Sequence, residues 1–243
     1  SYNLHGWTFY DFIGRGSYFG TYYFDGLIDE VRVSYTARTS FQLTTIISIY
    51  NWTHPAVVSV RVNAIPIIDS VTVAPDTMQQ YGPTGLPGVD EHTLAWWKMD
   101  EGSGTTVGDE VSGSDGSFSN NPAWTDGRFG KALDFEEDDS DYVTMPSGLG
   151  TDDDYTIEAW IRLESTGHYH RLYEYTSDSY TPSVRVNVET NNRFSFLVYY
   201  EYQCGASTCT TTLTVISESE LVADEWYHVA GTIDMDSLKL RVY

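Results

Sequence analysis

The chain is 243 residues long, 41% hydrophobic and 15% aromatic, with 35 acidic residues against 13 lysines and arginines. Its length and apolar content suit a folded domain with a sizeable core and argue against a disordered chain. The formal net charge of −22 repels phosphate backbones and anionic lipids, so we expect no nucleic acid and no membrane insertion, whereas divalent cations are attracted. No apolar stretch approaches the roughly 20 residues of a membrane-spanning helix.

The first 92 residues divide into two sections by composition. Residues 1–40 are rich in aromatic residues and glycine, and they end at 27–33 in a run whose branched apolar residues favour a β-strand. Residues 41–92 contain short apolar runs and finish in a Pro- and Gly-rich stretch at 75–88. That stretch predicts a connecting region with a linker.

Residues 93–243 contain the longest continuous β pattern. In its clearest run, Tyr155–Leu163, two sets of side chains alternate: Ile157, Ala159 and Ile161 face one way, and Thr156, Glu158, Trp160 and Arg162 face the other. Five further runs follow, at residues 183–188, 193–202, 210–216, 226–233 and 238–243, with turns at Asn191-Asn192 and at residues 234–237. Short strands with turns every 8 to 12 residues or so predict an all-β sandwich.

Five motifs of this section resemble, in order and spacing, the laminin G-like jelly-roll domain of the concanavalin A-like superfamily, in its bacterial form. The first reads Leu94-Ala-Trp-Trp-Lys-Met-Asp-Glu-Gly, and together the motifs occupy residues 94–107, 127–135, 141–146, 155–161 and 225–231. The resemblance implies an antiparallel jelly-roll β-sandwich.

The resemblance also extends to the beginning of the chain, in an unexpected order. Residues 23–38 resemble the segment that closes a module of this family. The sequence therefore indicates the C-terminal strands of an upstream module at 1–40, a connecting region at 41–92, and a module lacking its last strands at 93–243. Because such a module exposes strand edges and part of its core, we predict that Ile28, Val31 and Val33 dock into the body formed by residues 93–243.

A structural calcium ion is implied where the opening turn of such a module approaches its closing strand. Carried onto this sequence, the resemblance names Asp100 or Glu101 together with Asp29. Calcium takes about 6 to 8 oxygen ligands, which the turn after Asp100, with Asp109 close behind, can supply from carboxylates and carbonyls. The alternative is a solvated turn without an ion.

Two further groups of titratable residues carry weaker indications. The acidic run at 136–141 is predicted to be a solvated loop, with a cation site as the alternative. His168 and His170 lie two residues apart on one strand face, which predicts an exposed structural pair, with a metal pair as the alternative.

Aromatic residues in strands offer a candidate glycan site, because sugar-binding sandwiches present ring faces beside carboxylates and amides. Trp160 shares a strand face with Glu158, and Tyr199 shares one with Glu201. We therefore name Trp160, Glu158 and Tyr199 as candidate ligand-binding residues. Core packing is the alternative explanation for aromatic residues in strands.

Cys204 and Cys209 flank a Gly-, Ser- and Thr-containing loop between two strand runs. This arrangement predicts a disulfide and an oxidising compartment, hence a secreted or cell-surface protein. A pair of unbonded thiols is the alternative.

No catalytic signature is present. The nearest imitation of the acid pairs of related glucanases, Ser217-Glu-Ser-Glu220, lacks the intervening Asp. We therefore expect no enzyme but a binding or adhesion module of a secreted multi-domain protein, with a glycan or an extracellular protein and the neighbouring modules as partners. An accessory carbohydrate-binding module of a polysaccharide-degrading enzyme and a structural spacer remain the alternatives.

Overall fold

A computed structural model describes residues 9–16, 22–39, 41, 89–146, 154–177, 182–204 and 207–243. Ser1–Thr39 and Glu91–Tyr243 together make one compact unit. The apolar runs and the linker predicted between residues 42 and 88 lie outside the described residues. Within those ranges there is no helix of the length and apolarity that a membrane crossing requires.

The described residues form strands and no helices. The strands are β1 (Phe9–Ile13), β2 (Gly26–Ser34), β3 (Thr93–Trp97), β4 (Thr106–Val107), β5 (Gly116–Ser119), β6 (Ala123–Asp126), β7 (Lys131–Phe135), β8 (Tyr142–Met145), β9 (Tyr155–Leu163), β10 (His170–Ser177), β11 (Pro182–Val188), β12 (Arg193–Cys204), β13 (Ser207–Glu220), β14 (Trp226–Asp234) and β15 (Lys239–Val242).

The strands build two antiparallel sheets. The 8-stranded sheet has the order β13-β12-β11-β10-β1-β8-β5-β4, and the 7-stranded sheet has the order β15-β14-β9-β2-β7-β6, with β3 paired to β2. The inner faces of the two sheets share a single hydrophobic cluster, in which the rings of Tyr155 and Phe196 meet across the sandwich at 5.9 Å. The predicted antiparallel jelly-roll sandwich is confirmed.

Strand β9 shows how the sequence pattern selects this packing. Ile157, Ala159 and Ile161 belong to the core cluster, as their alternation predicted. Thr156, Glu158 and Trp160 point to the outer face of the same sheet, yet they too are buried. A second layer of side chains therefore covers this outer face.

The N-terminal segment docks into the body of the sandwich, as predicted. Ile28 lies opposite Leu133 of β7 and Ile161 of β9, and Val33 lies opposite Ala95 of β3 and Ile157 of β9. Ile28, Val31 and Val33 are all buried. Full burial of such side chains stabilises a fold by about 1.5–3 kcal/mol each. The assignment of the segment to an upstream module stays a prediction.

A β-bulge interrupts β2 at Glu30. Asp29 pairs with Trp160 and Arg32 pairs with Glu158. The two residues of β2 between these pairs therefore stand opposite a single residue of β9. Glu30 absorbs the extra residue with a left-handed φ of 55°. Because the bulge breaks the two-residue alternation, the carboxylates of Asp29 and Glu30 both reach the outer side of the sheet.

Candidate metal site and ligand-binding face

Asp29 is the most unusual carboxylate near the bulge. It is 0% exposed, its Oδ2 accepts a hydrogen bond of 2.9 Å from the N–H of Phe129, and its Oδ1 has no hydrogen-bond partner among the described residues. Burial raises the pKa of Asp29 to about 7 against the opposing effect of the Phe129 bond, and the charges of Glu30 and Asp100 add to the rise. The hydrogen bonds to Asp29 therefore compensate its ionised form only in part.

Glu30 belongs to the same place, although the sequence did not single it out. Its Oε2 accepts a hydrogen bond of 2.7 Å from Nε1 of Trp96. Burial raises the pKa of Glu30 to about 7 despite that bond, and the charge of Asp100 contributes to the rise. The sequence does show two adjacent acids in an apolar run. In a regular strand, however, neighbouring side chains point to opposite faces. Only the bulge brings these two carboxylates to the same face.

Asp100 approaches the same region through the turn at residues 127–131. Its Oδ1 accepts a hydrogen bond of 2.8 Å from the N–H of Lys131. The turn is tight: a Cβ at Gly127 would lie 2.6 Å from Oδ2 of Asp29, and one at Gly130, whose φ is 59°, would collide with Asp100. Two glycines thus let backbone N–H groups reach both carboxylates, and the structure brings the predicted residues Asp29 and Asp100 to one turn.

The other two predicted metal-site residues organise a different turn. Oε1 of Glu101 accepts the N–H of Gly108 at 2.7 Å. Asp109 accepts hydrogen bonds from a set of neighbouring donors: the N–H groups of Trp96, Val111, Ser112 and Ser114 and the hydroxyl of Ser112. Burial acts to raise the pKa of Asp109, but these bonds outweigh it and lower the pKa. Both side chains already have protein donors there.

Glu158 and Trp160 lie on the outer face of the 7-stranded sheet. Arg32 donates from Nε to Oε1 of Glu158 at 2.5 Å, and Nε2 of His228 lies 3.0 Å from Oε2. Trp160 is only 5% exposed, because the ring of Phe129 packs edge-on at 5.7 Å and the guanidinium of Arg128 lies 5.1 Å from its ring. A sugar could stack on Trp160 only if this turn moved away.

Tyr199 lies on the opposite outer face of the molecule. Its neighbour Val198 belongs to the core, so Tyr199 points outward from the 8-stranded sheet, where it is half-buried. The guanidinium of Arg185 lies 5.6 Å from its ring centroid, and Nε of Arg185 lies 3.5 Å from Oε2 of the fully buried Glu174. The predicted ligand-binding residues therefore do not form one site.

The comparisons with known proteins agree with this architecture. Residues 137–243 match a laminin G-like family model, described as the concanavalin A-like lectin/glucanases superfamily. This part of the chain is therefore similar to that superfamily. No curated protein and no solved structure matches the chain significantly. The matched range holds β8 to β15, and with them Glu158, Trp160 and Tyr199; Asp29, Glu30 and Asp100 lie outside it.

A second group of acids lies at one rim of the sandwich, where the concanavalin A-like region meets β2 and β7. Carboxylate oxygens of Asp25, Glu136 and Glu164 lie within 4.8 Å of one another. Only Glu136 comes from the acidic run at 136–141. Asp141 is buried instead and accepts the N–H groups of Asn121 and Glu136.

His168 and His170 stand beside this rim. Their rings are 4.2 Å apart, and Nε2 of His168 lies 3.2 Å from Oε2 of Glu137. The prediction of an exposed pair is wrong for His170, which is 1% exposed because it packs under the ring of Phe24. Burial, and after it the charge of His168, lowers the pKa of His170 to about 4.

The cysteines lie in the hairpin of β12 and β13. Cys204 is opposite Ser207 and Cys209 is opposite Tyr202, so the two cysteines occupy diagonal positions in the strand register. Cys209 is not a free thiol. The side chain of Cys204 lies outside the described residues, so the disulfide between them stays a prediction.

Proposed function

We propose that this protein is a non-catalytic module of a secreted or cell-surface protein, and that it binds a glycan on the outer face of the 8-stranded sheet. The supporting observation is the half-buried ring of Tyr199 beside the Arg185 guanidinium. Binding sites combine apolar and aromatic surface with a few positioned polar groups, and this pair provides both. The concanavalin A-like fold of residues 137–243 is compatible with such a role.

Arg185 is preorganised for this task by the buried layer beneath it. Glu174 is fully buried and lies 3.5 Å from Nε of both Arg185 and Arg171. Arg171 in turn donates to Oδ1 of Asn187. A guanidinium held in this way loses little rotamer freedom when it binds a sugar hydroxyl, which lowers the entropic cost of binding.

The other outer face supports glycan binding less well. Trp160 is covered by Arg128 and Phe129, and both oxygens of Glu158 already have partners in Arg32 and His228. The presence of aromatic and acidic residues on a strand is therefore insufficient. Accessibility separates Tyr199 from Trp160.

We also propose a structural calcium ion at Asp29 and Asp100. The fit rests on the buried Oδ1 of Asp29, which no described donor satisfies, and on the approach of Asp100 and Glu30. Calcium binds oxygen ligands, and its charge would compensate the carboxylates. Asp29 and Asp100 would hold the ion, with Glu30 nearby, and would thereby fasten β2 to the turn at residues 127–131.

The glycan proposal is tested by a glycan array followed by titration of the best-binding glycan. We expect Tyr199→Ala to weaken binding at least about tenfold, since one lost stacking contact of about 1.4 kcal/mol has that effect. Tyr35→Ala is the matched control, because Tyr35 is 44% exposed and directly follows β2 of the other sheet. The proposal fails if the wild type binds no glycan, or if both variants bind the glycan as tightly as the wild type does.

A further inference from the structure

The sandwich is completed by a segment that is distant in sequence from every strand it pairs with. β1 lies between β10 and β8 in the 8-stranded sheet. β2 lies between β9 on one edge and β7 and β3 on the other in the 7-stranded sheet. The body formed from residue 91 onward therefore has one slot in each sheet, and a single short segment fills both.

The slots recognise their strands by apolar contacts. Ile13 of β1 lies opposite Tyr173 and Val143, and it is fully buried. Ile28 of β2 lies between Leu133 and Ile161 and is fully buried as well. Strands paired on both edges gain a complete ladder of backbone hydrogen bonds in addition to this burial.

Polar contacts fix the register of the same segment. Tyr173 donates from its hydroxyl to Oδ1 of Asp11 at 2.6 Å, inside the sandwich. Arg32 forms the buried ion pair with Glu158. A one-residue slip of either strand would turn these polar groups, and every apolar partner, to the wrong face. The slots are therefore specific for this sequence.

Only Ser40–Asp90 connects the segment to the body it completes. For any chain of about 50 residues the maximum, fully extended reach is roughly 170 Å. The length of the connection therefore does not restrict the segment to its own body. Every copy of the chain carries the same segment and the same slots.

We propose that the body from residue 91 onward is a strand acceptor, and that residues 9–39 of a second copy can fill its slots in place of its own. Two copies would then exchange segments reciprocally and form a domain-swapped dimer. The partner is defined by chemistry: an apolar strand pair with an acid at the position of Asp11 and a cation opposite Glu158. This acceptor role is independent of glycan and calcium binding.

The test uses the full chain with a protease recognition sequence inserted at residues 75–88. The protein is unfolded and refolded at high concentration, and dimers of about twice 27.4 kDa are isolated by size-exclusion chromatography. Protease then cuts the connection. In an exchanged dimer nothing else joins the two copies, so we expect the apparent mass to fall by about half. A dimer held by surface contacts keeps its mass, and that result overturns the proposal, as does the absence of any dimer.

A peptide experiment tests the slots directly. The cut protein is mixed with a labelled synthetic peptide of residues 9–39 in mild denaturant, which is then removed. We expect the label to co-elute with the refolded body. The control peptide carries Ile28→Asp and should be incorporated at least about tenfold less, since an aspartate there would be buried without a partner. Equal incorporation of the two peptides, or none of either into a body that has regained its native fluorescence, contradicts the proposal.

Discussion

One group of carboxylates lies within β2 and another lies at its end, and the two groups differ in their surroundings. At the rim, Glu136 and Glu164 are exposed, so water solvates them together with Asp25. At the bulge, Asp29 is withdrawn from water, and one of its oxygens has no described donor. The carboxylate oxygens at the rim lie within 4.8 Å of one another, yet only at the bulge, of these two places, does a buried carboxylate oxygen lack both solvent and a described donor. Burial without compensation, more than the proximity of acids, therefore marks the candidate cation site.

Glu158 supplies the third case, a buried carboxylate that is compensated. Burial acts to raise its pKa, as it does for Asp29, but the bonds and charges of His228 and Arg32 outweigh burial and lower the pKa. Asp29 and Glu158 lie on the same outer face, on neighbouring strands. The direction of each shift follows from whether a cation stands beside the carboxylate.

The largest expected effect comes from removing the arginine beside Glu158, so that Glu158, like Asp29, becomes a buried carboxylate without a neighbouring guanidinium. Arg32→Met leaves Glu158 buried with only the hydrogen bond to His228, and we expect the free energy of unfolding to fall by about 3–5 kcal/mol. Urea denaturation at pH 7 measures the change. The double variant Arg32→Met/Glu158→Gln should recover a substantial part of the loss. Equal losses in the single and double variants would show that packing of the Arg32 side chain, rather than its charge, is responsible.

The next effect concerns His170, which stays neutral beside the rim acids. Its pKa in the folded chain is about 4, below the ordinary value, so the unfolded chain takes up the proton first as the pH falls. The stability contributed by neutral His170 is therefore fully present above about pH 6.5 and is lost between about 6.5 and 4, by up to roughly 3 kcal/mol. Relative to His170→Gln, the wild type should lose stability over this window. A difference that stays constant with pH contradicts the shift.

The effect of calcium on stability should show which of the two acidic groups binds the ion. At a calcium concentration about 100 times the dissociation constant, we expect the wild type to gain about 2.7 kcal/mol over the protein in EDTA. Asp29→Asn should abolish this gain, whereas Glu164→Gln at the rim should retain it. Thermal unfolding with and without calcium provides the measurement. Loss of the gain in Glu164→Gln but not in Asp29→Asn would move the site to the rim.

The smallest effect belongs to the rim itself. Desolvation and, after it, the charges of neighbouring carboxylates raise the pKa of Glu164. Because the side chain is exposed, Glu164→Gln should stabilise the protein by no more than about 0.5 kcal/mol. In about 1 M salt, where the screening length is about 3 Å, the gain should vanish. A gain that persists in high salt would point to a cause other than repulsion.

Alternation predicted the strand framework well, because burial on one face imposes it. Tyr155–Leu163 and the turn at Asn191-Asn192 follow directly from their residue patterns, and Asn192 adopts the expected left-handed conformation with a φ of 62°. Docking of Ile28 also followed from the incomplete module. The exceptions arise where local geometry departs from a regular strand.

The candidate site was less predictable, for identifiable reasons. Asp29 and Asp100 came from the resemblance, but Glu30 was missed because a bulge places it beside Asp29. From the sequence, Trp160 is a plausible ring for a sugar to stack on. In the folded chain, the turn at residues 127–131, which is distant in sequence, covers it. Such coverage is a tertiary property that no strand pattern contains.

The position of β2 also has a consequence for synthesis on the ribosome. Leu27 pairs with Arg162, so the N-terminal segment is made long before the strand that receives it. At roughly 5–20 residues per second, the delay before β9 is made is on the order of ten seconds, and even β3, the first strand that pairs with β2, follows β2 by several seconds. We therefore expect the nascent segment to need protection from premature pairing, and chaperone binding to nascent chains would test this.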